Sequence, residues 1–421
     1  MKVLVCGASG FIGSAICRRL SDEEHEVVRG VRRAERVGDV AIDYATDVTV
    51  EAWLDKLRGI DAVVNAAGII VERGPQTFAR MHAEAPIALF TACRLQGVRH
   101  VVQISALGAQ SRETPYFASK CRADEFLLSD EGPAKAHVIR PALVYGSQGT
   151  SARFFRALAS VPVHFLPGGG EQVLRPVHID DLCDLVAKLL NSSGTVSSSC
   201  IEAVGATEVT YREMLKIYRE SMGLPAAFSV RVAPAVMRIS AACGAKVPGA
   251  MLTPDTWRML QRGNTAAPGP FATALGRTPR GIETFIGAGE ARSSRIEALA
   301  GWHALLLRIA LAIVWIGTAF VSAVAYPQAA SLERLSRFGL HGFAAHVALY
   351  GACALDLAFG MATLIKPGRV LWLVQATLIA AYTLLIAVVL PEFLIEPFAP
   401  ILKNVPILAI LFILFSQETR A

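Results

Sequence analysis

The sequence predicts an α/β domain built on a doubly wound parallel sheet with a small substrate subdomain, followed by an all-α bundle of four transmembrane helices. Three observations carry this reading. Short apolar runs alternate with helical stretches through the first 190 residues. A glycine-rich turn, Gly7-Ala8-Ser9-Gly10-Phe11-Ile12-Gly13, follows the first run and opens a helix. Charge then thins out: only 12 of the 76 Asp, Glu, Lys and Arg residues lie in the last 121 positions, where the long apolar segments stand.

Strands are expected at 2–6, 26–31, 61–65, 99–105 and 136–140, with a further short strand near Asp43. Helices are expected over 11–21, 50–58, 78–96 and 115–129. Apolar runs without polar alternation suit strands buried on both faces, the pattern of a parallel sheet. Right-handed crossovers then wind helices onto both sides of it. Beyond residue 190 the pattern weakens. It reads as a Ser-rich loop at 192–199, an amphipathic helix at 209–222, a helix starting at Thr253-Pro254-Asp255, and an irregular stretch over 263–281. The first domain is bounded at 1–290, with the substrate subdomain at about 147–285 and a linker at 291–300.

A bilayer span needs ~20 apolar residues. Segments 304–326, 343–365 and 370–390 meet that length, and 401–416 is read as a shorter fourth span within a 301–421 membrane domain. Four crossings return both ends to one side. Lys366 and Arg369 in the second connection put that side in the cytoplasm by the positive-inside rule, and Glu392 with Glu396 suits the far side. Arg334 and Arg337 in the first connection run mildly against it. The expectation is a multi-pass protein of the cell's inner membrane, with the first domain in the cytoplasm.

Composition narrows the class further. Hydrophobic residues make up 53% and charged residues 18%, which argues against a purely soluble chain. The net charge of +6 comes without any Lys/Arg block interleaved with aromatics, so no nucleic-acid partner is expected. Eight irregularly spaced cysteines contain no C-x-x-C pair, which speaks against a disulfide framework or a metal site. No leader is read ahead of the first strand. Asp356 falls near the middle of the second span, where a carboxylate is costly; Lys403, Arg308 and His346 are its candidate partners.

The glycine turn is the strongest local signal. Gly7 permits the tight turn, Gly10 lets backbone approach a pyrophosphate, and Gly13 allows close helix–strand packing. With Ser9, Phe11 and Ile12 they form a phosphate cradle at a helix N-terminus, where free N–H groups favour anions. The second strand ends in Arg32-Arg33 with no carboxylate before Glu35, which favours the 2′-phosphate of NADP over NAD. Asp43 is a candidate for the adenine amine, or a turn residue. In Asn65-Ala66-Ala67-Gly68, small side chains let the backbone pass under the cofactor ribose.

Tyr116 and Lys120 stand at i and i+4, on one helix face. An ammonium there is expected to lower the phenol pKa from ~10 and to hold ribose hydroxyls. Tyr116 then exchanges the proton that accompanies hydride transfer, and Ser105, at a strand end, binds the substrate oxygen. Pro141, in Arg140-Pro141-Ala-Leu-Val-Tyr-Gly146, is expected beside the nicotinamide. In Val177-His178-Ile179-Asp180-Asp181, an Asp is expected to cap a helix and His178 to be structural.

Gly7-x-x-Gly10-x-x-Gly13, Asn65-Ala-Ala-Gly68, Ser105, Tyr116-x-x-x-Lys120 and Arg140-Pro-x-x-Val-Tyr-Gly146 occur together in order. This set resembles the short-chain dehydrogenase/reductase superfamily, in its extended or atypical NAD-dependent epimerase/dehydratase branch, over residues 1 to about 285. The resemblance implies a Rossmann fold, a nicotinamide cofactor and a Ser105/Tyr116/Lys120 centre. Val102-Gln-Ile-Ser-Ala-Leu-Gly108, Leu260-x-x-x-Asn264 and Gly276-Arg-Thr-Pro279 are similar to the group containing the nucleotide-binding accessory subunit of respiratory complex I. Ser105 departs from the branch in being followed by Ala106-Leu107. The four apolar segments resemble the DoxX-like membrane domain.

The expected function is a membrane-anchored NAD(P)-dependent oxidoreductase acting on a carbonyl or alcohol of a lipophilic small molecule. Two alternatives stay open: a non-catalytic NAD(P)-binding subunit or assembly factor of a membrane (respiratory-type) protein complex, and an NAD-dependent epimerase/dehydratase. A redox-gated transport or sensing role for the spans, with Asp356 as its ionisable element, is a further reading.

Overall fold

The computed structural model describes residues 1–129, 131–133, 135–191, 198–245, 251–395 and 401–418. They fall into two compact units, Met1–Leu299 and Ala300–Ala421.

The first unit is organised by seven strands: β1 (Lys2–Cys6), β2 (Glu26–Val31), β3 (Val40–Ala41), β4 (Ala62–Asn65), β5 (His100–Ile104), β6 (Ala136–Pro141) and β7 (Ser199–Ala203). Their order is β3-β2-β1-β4-β5-β6-β7, and every pairing is parallel. Val3, Leu4, Val63, Val64, Val101 and Val102 are wholly buried, because helices cover both faces. On one face α1 (Phe11–Asp22) packs Ile16 and Leu20 against the Leu182, Leu185 and Val186 positions of a later helix. On the other, α2 (Ala85–Leu95) and α3 (Pro115–Leu128) bring Leu89, Phe90, Ala123 and Leu127 onto Trp53. The chain leaves β1 for β2 on one side and reaches β4 on the other. This reversal opens a crevice at the C-terminal ends of β1 and β4.

The remaining helices of this unit are α4 (Thr150–Ser160), α5 (Ile179–Asn191), α6 (Tyr211–Ser221), α7 (Pro234–Gly244), α8 (Pro254–Arg262) and α9 (Gly269–Leu275). Tyr145, Met214, Tyr218, Ile282 and Phe285 form a third core beside the sheet. Short two-stranded pairings hold this region together. Val144–Tyr145 pairs with Val177–His178, and Val163–Pro167 pairs in parallel with Phe228–Val232. Capping boxes start α6 at Thr210/Glu213 and α8 at Thr253/Thr256.

Several expectations are corrected. The substrate region is not one block over 147–285, since α5 and β7 return to the main sheet. The sequence reading missed β7 because this edge strand, Ser-Cys-Ile-Glu-Ala, carries one large apolar residue. The stretch 263–281 contains α9, ended by Gly276 in the left-handed conformation at φ 73°. Residues 291–300 are not a linker. They open a long helix, because Ala, Arg, Ile, Glu and Leu are good helix formers despite their polarity. Helix 78–96 is broken into a π-turn, Arg80–Glu84, ahead of α2, and helix 50–58 shortens to Glu51–Leu54 with a following 3₁₀ turn. Most of the Ser-rich loop, together with Glu396, lies outside the described residues.

Asp180 and Asp181 sit in the first turn of α5 and do not cap it. The Asp180 N–H donates to His178 Nδ1 at 3.2 Å instead. Asp181 is wholly buried and accepts from Arg277 Nη2 at 2.7 Å, Arg280 Nη1 at 2.9 Å and the Arg280 backbone N–H at 2.7 Å. It ties the segment after α9 to the sheet.

The second unit contains most of helix α10 (Ala291–Phe320), which continues through Val321–Ala325, and α11 (Gly342–Ile365), α12 (Arg369–Val389) and α13 (Asn404–Gln417). The first three are long and apolar enough to cross a membrane. The expected fourth span is corrected: α13 has 14 residues, and at 1.5 Å per residue it extends only about 21 Å against a hydrocarbon core of about 30 Å. A polar chain links three of these helices. Trp315 Nε1 donates to Gln375 Oε1 at 3.2 Å, and Gln375 Nε2 donates to Thr363 Oγ1 at 3.0 Å. Arg308 donates to the carbonyls of Thr363 and Leu364 at 3.0 and 2.7 Å, closing the end of α11. Two candidate partners of Asp356 are thus engaged elsewhere, His346 on the Gly342 carbonyl at 2.9 Å.

Asp181→Ala is expected to destabilise the first unit by about 3 kcal/mol, because it strips a buried anion from two arginines. Urea titration of the detergent-solubilised protein, followed by intrinsic fluorescence, measures this. An unchanged midpoint would refute the assignment.

Candidate active site

The crevice begins at the turn after β1. Gly7 has φ 77°, a left-handed conformation that L side chains avoid, and a Cβ there would lie 3.0 Å from Ala67 backbone. A Cβ on Gly13 would overlap the Gly7 carbonyl oxygen. Helix α1 therefore starts hard against the turn. Gly10 caps it without a side-chain bond, and no acidic residue stands in its first turn, so its N–H groups face an anion-sized space. Gly7, Ser9, Gly10, Arg32, Asp43, Ala66, Ala67 and Gly68 line one cleft of about 170 Å³. This cradle of bare backbone at a helix N-terminus suits the pyrophosphate of a dinucleotide.

Not every expected cofactor residue lies there with its side chain. The Phe11 ring packs where Cβ atoms on Gly146 and Gly149 would stand. Ile12 and Pro141 line a neighbouring pocket. Arg32 and Arg33 are exposed and border a groove with Arg29 and Arg36, two arginines that the sequence reading passed over. Asp43 follows β3, and its carboxylate accepts from Ala45 N–H at 3.0 Å as a turn residue does.

Asn65 shapes the second wall. It accepts from Tyr44 Oη at 2.7 Å and from Ala67 N–H at 3.2 Å, and it donates to Gln103 at 2.7 Å. His82, also passed over, fastens this wall to α3. Its Nε2 accepts from Ile69 N–H at 3.0 Å, and its Nδ1 lies 3.1 Å from Ser119 Oγ. Because Ser119 Oγ donates to the Tyr116 carbonyl at 2.8 Å, His82 must carry its proton on Nδ1. Burial and the Lys120 charge push its pKa down to about 2, so it stays neutral.

Helix α3 starts at Thr114, whose hydroxyl accepts from Phe117 N–H at 3.2 Å, with Pro115 at its first position. This start sets Tyr116, Lys120 and Asp124 on successive turns. Lys120 is buried; its Nζ donates to the Ile104 carbonyl at 3.2 Å and would stand 3.1 Å from a Cβ on Gly68. Asp124 is wholly buried and accepts from Ser105 Oγ at 2.8 Å and Arg140 Nε at 2.9 Å. Its other oxygen has no hydrogen-bond partner among the described residues. The Ser105 hydroxyl proton is thus committed to Asp124. The same four-residue spacing that singled out Tyr116 and Lys120 extends to Asp124 and was the available signal.

The electrostatics correct one expectation. Lys120 does not lower the Tyr116 pKa. Burial, aided by the Asp124 charge, pushes the phenol up to about 12. Burial also pulls Lys120 down to about 8, against the Asp124 carboxylate that raises it. Asp124 itself is raised by burial, with the hydrogen bonds from Ser105 and Arg140 opposing. At neutral pH the tyrosine is a proton donor.

Ser105 and Tyr116 both line a second pocket of about 270 Å³ with Ile12, Leu143, Phe155 and Met259.

Residues 3–199 match the NAD dependent epimerase/dehydratase family, and residues 312–412 match the DoxX-like family. The chain joins an epimerase/dehydratase-type NAD-binding domain to a DoxX-like domain. It is 32% identical over 137 residues to the photosystem II assembly factor Ycf39 of Guillardia theta, covering 31% of this chain and 43% of that one. It is 28% identical over 167 residues to a ceramide reductase of Caulobacter vibrioides, covering 38% of this chain and 52% of the relative. The chain thus spans about half the length of these relatives. The NADPH-dependent quinone oxidoreductase QOR2 of Escherichia coli superposes with a TM-score of 0.54 at 16% identity, over 68% of this chain and 98% of that one, a likeness of fold.

Gly13→Ala is expected to weaken NAD(P)H binding by at least roughly 100-fold, since it moves the start of α1 off the turn. Titration by nucleotide fluorescence, with circular dichroism as the folding control, checks this. Wild-type affinity in the folded variant would contradict the cradle.

Proposed function

We propose that the protein is a membrane-anchored NADP(H)-dependent reductase of a carbonyl on a neutral, apolar small molecule. One observation carries the reading: Ser105 and Tyr116 open onto a pocket whose other walls are largely aliphatic and aromatic. Among the described residues its lining holds no Lys, Arg or His. That suits a substrate without phosphates and speaks against a sugar-nucleotide diphosphate and the epimerase alternative. Arg32, Arg33 and Arg36, in the groove that follows β2 and that Glu35, Asp39 and Asp43 share, support NADP over NAD. Lys366 and Arg369 support a cytoplasmic first domain at the inner membrane.

Gly7, Gly10 and the backbone of Ala66–Gly68 would hold the dinucleotide, and Lys120 its ribose. When bound, the nicotinamide supplies the hydride. Tyr116 Oη, neutral at pH 7, gives the balancing proton to the substrate oxygen. Lys120, charged below about pH 8, keeps its ammonium on the ribose hydroxyls. Ser105 turns its hydroxyl from Asp124 to the substrate oxygen, and Arg140 keeps Asp124 neutralised while it does so. The aliphatic walls exclude water from the exchange.

Tyr116→Phe is expected to cut reductase turnover by about 10²–10⁴-fold with NADPH affinity unchanged. Full residual activity would remove the role. For the free enzyme, kcat/KM for reduction should fall as pH rises through about 8, where Lys120 loses its charge, and not near 12 where Tyr116 ionises. A profile flat to pH 10 would refute it. The Arg32→Ser/Arg33→Ser pair should weaken NADPH by about 10–100-fold and leave NADH nearly untouched. A wild-type preference for NADH overturns the NADP reading and leaves the reductase reading standing.

A further inference from the structure

The second unit carries unanswered positive charge at one end of its helices. Helix α11 ends at Ile365 and α12 begins at Arg369, so Lys366-Pro367-Gly368 turns the chain between them. No acidic residue stands in the first turn of α12 and no side chain caps it, which leaves its first N–H groups without an acceptor. The carbonyl end of α11 beside it is already answered, because Arg308 donates to Thr363 and Leu364. What remains at this end is the positive pole of α12 together with Lys366 and Arg369.

Arg369 is not a solvated surface arginine. Its guanidinium lies over the Phe415 ring of α13, 4.7 Å from the ring centre, and its Nε is buried without a hydrogen-bond partner among the described residues. Trp372 follows three residues later on the same helix face and is 1% exposed; its Nε1 also lacks a partner there. Helical side chains lean toward the N-terminus of their own helix, which carries the indole over the first turn of α12. Among the described residues neither Lys366 nor Arg369 forms an ion pair. Glu418, three residues beyond Phe415, is the nearest carboxylate in sequence to this end of α13 and pairs with neither of them.

Buried donors short of an acceptor, at a helix N-terminus flanked by two cations, lack what a phosphate supplies: negative charge spread over several acceptor oxygens. The surroundings indicate which phosphate. Ile365 and Val370, on either side of the turn, are 80% and 77% exposed, and α11 and α12 are long and apolar enough to cross a membrane. Cations set between exposed apolar side chains at the end of a span lie in the headgroup layer, where phosphate hangs from acyl chains.

We propose that the turn 366–369 and the first turn of α12 bind the phosphate of an anionic phospholipid, with its acyl chains along Ile365 and Val370. Two cations and a helix pole favour a headgroup of net negative charge over a zwitterionic one. The proposal concerns the second unit alone and does not rest on the reductase reading.

The test is native mass spectrometry of the delipidated full chain in detergent, with phosphatidylglycerol, phosphatidylcholine or inorganic phosphate added. One phosphatidylglycerol per chain is expected to stay bound, at several-fold higher occupancy than phosphatidylcholine, and excess inorganic phosphate should not displace it. Lys366→Gln/Arg369→Gln should cut that occupancy several-fold. Arg334→Gln/Arg337→Gln, which removes two cations from the other connection, should leave it unchanged. No loss in the first pair, or equal loss in both, would overturn the site. Displacement by inorganic phosphate would overturn the lipid as its occupant. A reading that needs no variant is the melting midpoint of the unaltered chain, which phosphatidylglycerol should raise above its value in phosphatidylcholine. Equal midpoints in the two lipids would also refute the proposal. Neither turnover nor nucleotide binding is measured, so failure here is distinct from failure of the reductase reading.

Discussion

The crevice depends on one close approach, the start of α1 against the turn that leaves β1. A methyl group on Gly13 would overlap the Gly7 carbonyl, and one on Gly7 would press on Ala67. Bare backbone at these two positions lets the helix axis point its unpaired N–H groups between β1 and β4. The sheet supplies the gap by reversing strand order there. The second wall, Asn65 to Gly68, can then pass close enough for the Lys120 amine to reach Gly68. Each later feature of the site inherits its position from this contact.

The second organising element is a buried carboxylate. Asp124 holds Ser105 and Arg140 directly and faces Lys120 one turn away. Ser105, Lys120 and Asp124 are buried, and the Arg140 side chain is 13% exposed. Burial opposes charge on Asp124 and Lys120 alike; the Ser105 hydrogen bond and Arg140 favour the Asp124 carboxylate, and that carboxylate in turn favours the Lys120 ammonium. Such an arrangement costs folding energy and suits a site where a proton must move with little reorganisation. His82 adds a neutral brace, fixed in one tautomer by a backbone donor on one side and a serine on the other.

Much of this was legible in the residues. The central strands could be read because Val-rich runs buried on both faces carry no competing polar pattern, and the glycine turn because its three positions are sterically demanded. What escaped reading has physical causes. Strand β7 is an edge strand with a single large apolar residue. Helix α9 hides behind Gly and Pro that sit at its ends, as a cap and an initiator. The linker was inferred from polarity, which does not oppose helix. His82 is an isolated residue whose role arises from Ile69 and Ser119, on other segments of the chain. The Tyr116 pKa was misjudged because charge was weighed without burial, and in a closed site burial is the larger effect.

The chain Trp315–Gln375–Thr363, with Arg308 on the adjoining carbonyls, links three helices. In a hydrocarbon medium its meaning changes. Lipid tails are as apolar as leucine, so burying aliphatic side chains between helices gains little there, and slippage or rotation of one smooth helix on another is nearly free. Directional bonds remove that freedom. Turning α12 by a single residue, about 100°, would swing Gln375 out of reach of both Trp315 and Thr363 and leave its amide without those partners. The network thus acts as a key, selecting one azimuth for each of α10, α11 and α12 where apolar packing alone would accept many.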